Sequence, residues 1–265
     1  LVASSTDTHA ELIQAGARAG KAVFCEKPLD LDLARADASL AVAGEAGILL
    51  ALGFNRRYDP AFRRLHREIA AGRVGTVEVV SITSRDPAPP PPAYVARSGG
   101  LFRDMMIHDL DMARWLLGEE PVSVYARGSA LIDPAIGAAG DIDTAVVVLE
   151  TQSGRLCQIT NSRRCAYGYD QRIEVFGSAG LARADNVPAT TVETADAGGF
   201  TREPALPFFL ERYAAAYRHE LDEFLEALRG KPAQLATGAD GRQALALADA
   251  AQRSLETRAP VLLSR

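Results

Sequence analysis

Two groups of residues have the types and spacing for acid–base chemistry on a hydroxyl. The first is Glu26-Lys27-Pro28, which follows a short apolar run ending at Cys25. A run of that kind reads as a buried parallel strand, and open α/β sheets bind ligands beyond the carboxyl ends of their strands. A lysine placed there can hydrogen-bond a substrate hydroxyl and stabilise negative charge developing on its oxygen. The second group is Asp104 and His108, four residues apart on a helix expected over 104–117, and therefore on one face. Histidine titrates near neutrality and can take and return a hydroxyl proton, while Asp104 orients the ring or balances its charge. Asp111 and Trp115 continue the same face, and nine of these fourteen residues are apolar. A histidine in so buried a helix needs a partner or a function. Ser98-Gly99-Gly100, just before it, permits close backbone approach by a ligand. Bland readings stay open beside these: a solvated Glu and Lys at a strand end, and a structural Asp–His pair.

Other clusters are weaker. Asn55-Arg56-Arg57-Tyr58 follows a strand end and offers donors for a polyhydroxylated ligand, or is a solvated helix start. Tyr167-Gly-Tyr169-Asp170 offers hydroxyls to a sugar-like substrate, or is a hairpin tip. Asp104, His108 and Asp109 have no second His or Cys cluster near them, so no metal site is expected. Gly177-Ser-Ala-Gly180 reads as a hairpin turn, because too short a segment follows for a phosphate-binding helix. There is no G-x-G-x-x-G. Among the other histidines only His9 stands at a strand-to-helix corner suited to cofactor contacts.

The elements that must position these residues change character along the chain. Residues 1–55 alternate short apolar strands (1–3, 21–25, 48–52) with helices (about 10–19 and 31–46), the pattern of βαβ units and a parallel sheet. Thr8 with Glu11 is expected to form a capping box, Asp30 to cap the second helix, and Asp59-Pro60 to start a third running to about 71. From Arg73 onward β-rich segments dominate (74–83, 122–132, 143–151, 155–161, 171–176), which suggests a mixed or antiparallel sheet. Two long helices, about 208–229 and 238–257, end the chain. The run from Asp86 to Tyr94 holds five of the 14 prolines and is expected to be a stiff, extended loop. The Lys27–Pro28 bond is expected trans, the common isomer.

Composition narrows the class. The 265 residues carry a net charge of −5, with 48% apolar and 24% charged side chains, as in ordinary globular proteins. No Lys/Arg run points to nucleic acid and no apolar stretch reaches membrane-spanning length, so neither partner is expected. Three cysteines without zinc-like spacing and no visible leader make a cytoplasmic location the expectation.

Taken together, Cys25-Glu-Lys-Pro-Leu29, Gly53-Phe-Asn-Arg-Arg57, Gly99-Gly100, Asp104-x-x-x-His108-Asp109 and Tyr167-Gly-Tyr-Asp170 resemble the glucose–fructose oxidoreductase/inositol dehydrogenase family (Gfo/Idh/MocA). The resemblance runs along essentially the whole chain. It implies an α/β plus α+β fold. A partial Rossmann-type parallel sheet (residues 1–55) would be followed by a C-terminal domain (56–265) with an open, mostly antiparallel β-sheet and helices on one face. It implies an oxidoreductase that moves a hydride between NAD or NADP, NAD being favoured, and a ring hydroxyl of a cyclitol or sugar. Lys27 would hold the reacting hydroxyl, and His108 would accept its proton with Asp104 in support. Thr6, His9 and Glu26 would lie near the nicotinamide ribose with Lys27, and Asn55, Arg57 and Tyr169 would touch the substrate. A homo-dimer or homo-tetramer through the C-terminal sheet is implied. The family's opening strand, Gly-rich turn and helix have no counterpart in this sequence, so Leu1–Ala3 is expected to be the end of the fourth Rossmann strand. The preceding half would be roughly 60–75 residues. Weak cofactor binding by these residues alone is the corresponding expectation. Two rival readings are a non-catalytic assembly or ligand-binding module and an aldose or anhydrosugar reductase on the same scaffold.

Overall fold

The computed structural model describes residues 1–263. Its first lobe is a small parallel sheet. Val2 bridges Cys25, and β1 (Val23–Glu26) pairs in parallel with β2 (Leu50–Gly53). Two helices connect these strands, α1 (His9–Arg18) and α2 (Leu33–Glu45). All three strand ends therefore point the same way, and Glu26, Lys27 and Gly53 gather at one rim. The Lys27–Pro28 bond is cis, not trans. Thr8 makes no side-chain cap, and Asp32 rather than Asp30 caps α2 by accepting from the Arg35 amide (2.9 Å).

Asp59 accepts from the amides of Ala61 and Phe62 and starts α3 (Pro60–Ala70), as its sequence implies. The chain then enters β3 (Val77–Arg85). The proline run stays extended only to Pro91, after which α4 (Pro92–Ser98) begins. The single helix expected over 104–117 is two pieces, α5 (Gly100–Asp104) and α6 (Ile107–Leu117), with a bend at Met105-Met106. Asp104 thus ends one helix and His108 lies in the first turn of the next. β4 (Pro121–Ser129) stops before α7 (Pro134–Ala138), whose cap, Asp133, lies just beyond the expected strand 122–132. The strands β5 (Thr144–Thr151), β6 (Leu156–Ser162), β7 (Asp170–Gly177) and β8 (Gly180–Ala184) follow, and Gly177–Gly180 forms the expected tight turn. An unexpected exposed hairpin comes next, β9 (Glu193–Asp196) and β10 (Gly199–Arg202). The expected helix 208–229 is α8 (Phe209–Arg212) and α9 (Ala214–Leu228); α10 (Gly238–Thr257) and β11 (Val261–Leu262) close the described chain.

The larger sheet has the order β11-β4-β5-β6-β3-β7-β8. Each neighbouring pair is antiparallel except β3 and β6. In β5 the side chains of Ala145, Val147 and Leu149 point into the core while Val146 and Val148 stay exposed. That alternation makes one face of the sheet the floor for α6 and α10. The fold expected from the sequence, a parallel sheet followed by a mostly antiparallel one, is the fold observed. α10 joins the lobes: Ala244 and Leu245 belong to the first lobe's core, and Ala248, Ala250 and Ala251 to the second's. At Gly238 an added Cβ would lie 2.4 Å from Leu40, so the helix is pressed against the first lobe.

Candidate active site

A cavity of about 710 Å³ opens between the lobes, within the size range of small-molecule sites. Its wall includes Lys27 from the first rim, Asn55 and Arg56 from the 3₁₀ turn after β2, and Asp104 and His108 from either side of the α5–α6 bend. Asp86 and the prolines after it close another side, and Tyr169, Phe208, Phe209 and Tyr213 line the floor and end.

Lys27 Nζ donates to the Asp104 carbonyl (2.6 Å) and faces the Asp104 carboxylate at 3.4 Å. The Tyr94 hydroxyl donates to the same carboxylate oxygen at 2.9 Å. The His108 ring meets Phe54 edge-on, with centroids 6.2 Å apart, and its buried Nδ1 has no hydrogen-bond partner among the described residues. Burial, aided by the positive charges of Lys27 and Arg56, pushes the imidazole well below its ordinary value. His108 is therefore a neutral base at pH 7. Asp86 is pushed up to about 6, chiefly by burial, against the pull of Arg56 and Arg163.

Beneath the wall lies a buried polar network. Arg56 is ion-paired with Asp109 and donates to Ser84 (3.0 Å). Asn161 donates to the other Asp109 oxygen (2.9 Å), and Tyr213 donates to Gln171 (3.2 Å). A buried charge pair held by several hydrogen bonds fixes geometry more than it adds stability. Asn55 shows an unpartnered buried Oδ1 at the cavity. Tyr169 packs edge-on against Phe208 and Tyr213, each at 5.9 Å.

The structure thus brings Lys27, Asp104, His108, Asn55 and Tyr169 around one space. Arg57 is not there. Its guanidinium is bidentate to Asp111 (2.8 and 2.6 Å) and reaches Asp240 (2.9 Å), which overturns its expected substrate contact. The break at Met105-Met106 separates Asp104 from α6, and Asp111 and Trp115 are engaged elsewhere: Asp111 pairs with Arg57, and Trp115 stacks on His66 at 3.9 Å. Thr6, His9 and Glu26 stay outside this cavity. Thr6 opens the 3₁₀ turn after the Val2 strand. His9 is buried at this corner, with Nδ1 facing the Pro28 carbonyl (2.8 Å) and Nε2 facing the Ser4 carbonyl (3.2 Å). Glu26 lies along β2, its carboxylate occupying the space a Cβ at Gly53 would need. Arg56, Asp86, Tyr94 and Tyr213 are wall residues that sequence reasoning did not single out. Arg56 carried a signal, as it stands in the quoted Asn55–Tyr58 cluster; the others carried none. Among the described residues there is no group of His, Cys, Asp and Glu that could hold a metal ion.

Comparison with known proteins matches both lobes to one family. Residues 1–54 match the family described as "Oxidoreductase family, NAD-binding Rossmann fold", and residues 62–183 match the "GFO/IDH/MocA C-terminal domain". The chain is 53% identical over 265 residues to an inositol 2-dehydrogenase of Rhizobium meliloti, covering all of this chain and 80% of that protein. It is 52% identical to a myo-inositol 2-dehydrogenase of Thermotoga maritima, covering 99% of this chain and 79% of the relative. The crystal structure of scyllo-inositol dehydrogenase from Lactobacillus casei with bound NAD(H) and scyllo-inositol superposes with a TM-score of 0.89 at 30% identity, covering 99% of this chain and 79% of that one. With both lobes matched in order and the polar wall shared between them, the chain belongs to the GFO/IDH/MocA family of NAD-binding oxidoreductases.

Proposed function

We propose that this oxidoreductase acts on a ring hydroxyl of a cyclitol, in the manner of an inositol 2-dehydrogenase. The observation that carries the reading is the meeting of Lys27 and His108 in the wall of one cavity, an ammonium from one lobe and a neutral imidazole from the other. Lys27 hydrogen-bonds the reacting hydroxyl and stabilises the alkoxide-like charge as the C–H bond breaks. His108 takes the hydroxyl proton, and Asp104 holds Lys27 in place before substrate arrives. Asn55 and Tyr169 contact the remaining hydroxyls. The chemistry of the rim fits a dinucleotide, because Thr6, Glu26 and Lys27 follow parallel strands at their carboxyl ends. Bound NAD, favoured over NADP, supplies the hydride acceptor, and these three residues would hold its nicotinamide end.

Residues 1–55 form the cofactor part and 56–265 the substrate and assembly part of this reading. Tyr125, Val146, Val148, Leu156 and Phe176 stay exposed on the larger sheet, so that face pairs with a second copy in a homo-dimer or homo-tetramer. Three free, buried cysteines suit a reducing cytoplasm. No helix among the described residues is long and apolar enough to cross a membrane. The test is a panel of myo-inositol, scyllo-inositol, glucose and an anhydrosugar, each assayed with NAD and NADP. NADH formation with an inositol is expected. Turnover confined to aldoses, or none with any polyol, would reject the cyclitol.

A further inference from the structure

Arg163 is, among the described residues, the largest fully buried side chain, 1% exposed, and none of its three guanidinium nitrogens has a hydrogen-bond partner there. It follows β6 and is fixed through its amide to the Asp143 carbonyl (2.8 Å). Its Nη2 stands 3.5 Å from Asp141 and 3.7 Å from Asp104. These two carboxylates bracket α5. Asp141 accepts from the Leu101 amide (3.0 Å) at the start of the helix, and Asp104 is its last residue. Gly100, at φ +82, leaves just enough room for the Asp141 carboxylate: a Cβ there would lie 2.9 Å from it.

The groups that face Asp104 are Lys27 from the first rim, Tyr94 from α4, Arg163 after β6, Asp86 after β3 and His108 across the bend. Only Lys27 and Arg163 among these carry positive charge. Under the function proposed above, Lys27 must turn toward a substrate hydroxyl. Asp104 then loses its near cation while Asp86 still opposes it. A partly buried carboxylate left without a cation is costly.

We propose that Arg163 is a positioning residue: it bridges Asp141 and Asp104, and so keeps the Asp104 carboxylate in place while Lys27 is engaged with the substrate. The proposal rests on the cyclitol reading for its kinetic consequence only. The pull of Arg163 on Asp86 places it behind a second wall carboxylate as well.

Two readouts test it on the full chain. In Arg163→Gln, kcat for cyclitol oxidation should fall about tenfold or more with the KM for NAD little changed, and Arg163→Lys should recover most of the loss. The second readout needs no turnover. The chain has three lysines (Lys21, Lys27 and Lys231), so a ¹⁵N-lysine spectrum resolves each ammonium. The Lys27 resonance should move in Arg163→Gln and return toward its wild-type position in Arg163→Lys, while Lys21 and Lys231 stay put. A folded Arg163→Gln protein with an unmoved Lys27 resonance and wild-type turnover overturns the proposal. An Arg163→Lys protein that melts like wild type but is as slow as Arg163→Gln does the same, since charge would then not matter. If Arg163→Gln does not fold, Asp141→Asn replaces it: releasing the guanidinium from one partner must move the Lys27 resonance, and an unchanged one overturns the idea. No turnover of cyclitols by the wild type would sink the proposed function, and the Lys27 resonance would still decide the role of Arg163.

Discussion

In the proposed reaction His108 acts as an uncharged base. Burial is the main cause of that state, and the nearby charges of Lys27 and Arg56 add to it, holding the imidazole well below its ordinary value. Lys27→Ala and His108→Ala should each lower kcat about 100-fold or more in a cyclitol assay, with NAD affinity little changed in a titration. Arg57→Ala should behave in the opposite way. It removes the bidentate partner of the buried Asp111 and leaves it only Arg114 at 3.8 Å, so a loss of about 3 kcal/mol in denaturant unfolding is expected, with the cyclitol KM of the folded fraction unchanged. Lys27, Asp104 and His108 were legible in the sequence because ionisable residues in apolar surroundings stand out. The choice between Arg56 and Arg57 was not. Two adjacent arginines are alike in type, and only the distant partners Asp109 and Asp111 decide which one meets the cavity.

Short elements place these side chains, and short elements are where sequence patterns mislead. The apolar run 104–117 reads as one helix by periodicity, yet the backbone bends at Met105-Met106, both of which are buried. The bend sets Asp104 and His108 on separate helices and still leaves both on the cavity wall. The proline run was legible as extended chain, but its place beside the active cavity depends on long-range packing that no local pattern encodes. Gly168 shows how a turn is fixed by its neighbours. Its φ is +104, and a Cβ there would sit 2.2 Å from the Ala205 carbonyl oxygen, a backbone atom that cannot swing away. Gly168→Ala should therefore cost about 2 kcal/mol or more in thermal unfolding, and raise the cyclitol KM by displacing Tyr169.

Across the whole molecule the order of strands and helices was the most legible feature, since the switch from βαβ alternation to successive strands marks the change of sheet. The exposed row of Tyr125, Val146, Val148 and Phe176 makes a prediction at this scale. Val146→Asp with Val148→Asp should shift sedimentation from oligomer to monomer with far-UV circular dichroism retained. Glu220, on α9, gives a second. Burial, with Glu26 adding repulsion, raises its carboxyl from 4.5 to about 9. The folded state keeps a proton that the unfolded chain gives up above 4.5, so stability is full below that pH and is lost as pH rises toward about 9. Between pH 6 and 9 the wild type should lose Tm by at least ~3 °C more than Glu220→Gln in a melting series, a difference of about 1 kcal/mol for a chain of this size. The prolines at 87 and 89–91 carry a last consequence for the cavity they border. Proline has no N–H, so of residues 87–91 only Ala88 brings an amide to this side of the chamber. With so few amides there to receive an anion, free polyols should turn over faster than their phosphate esters, a comparison that a steady-state assay makes.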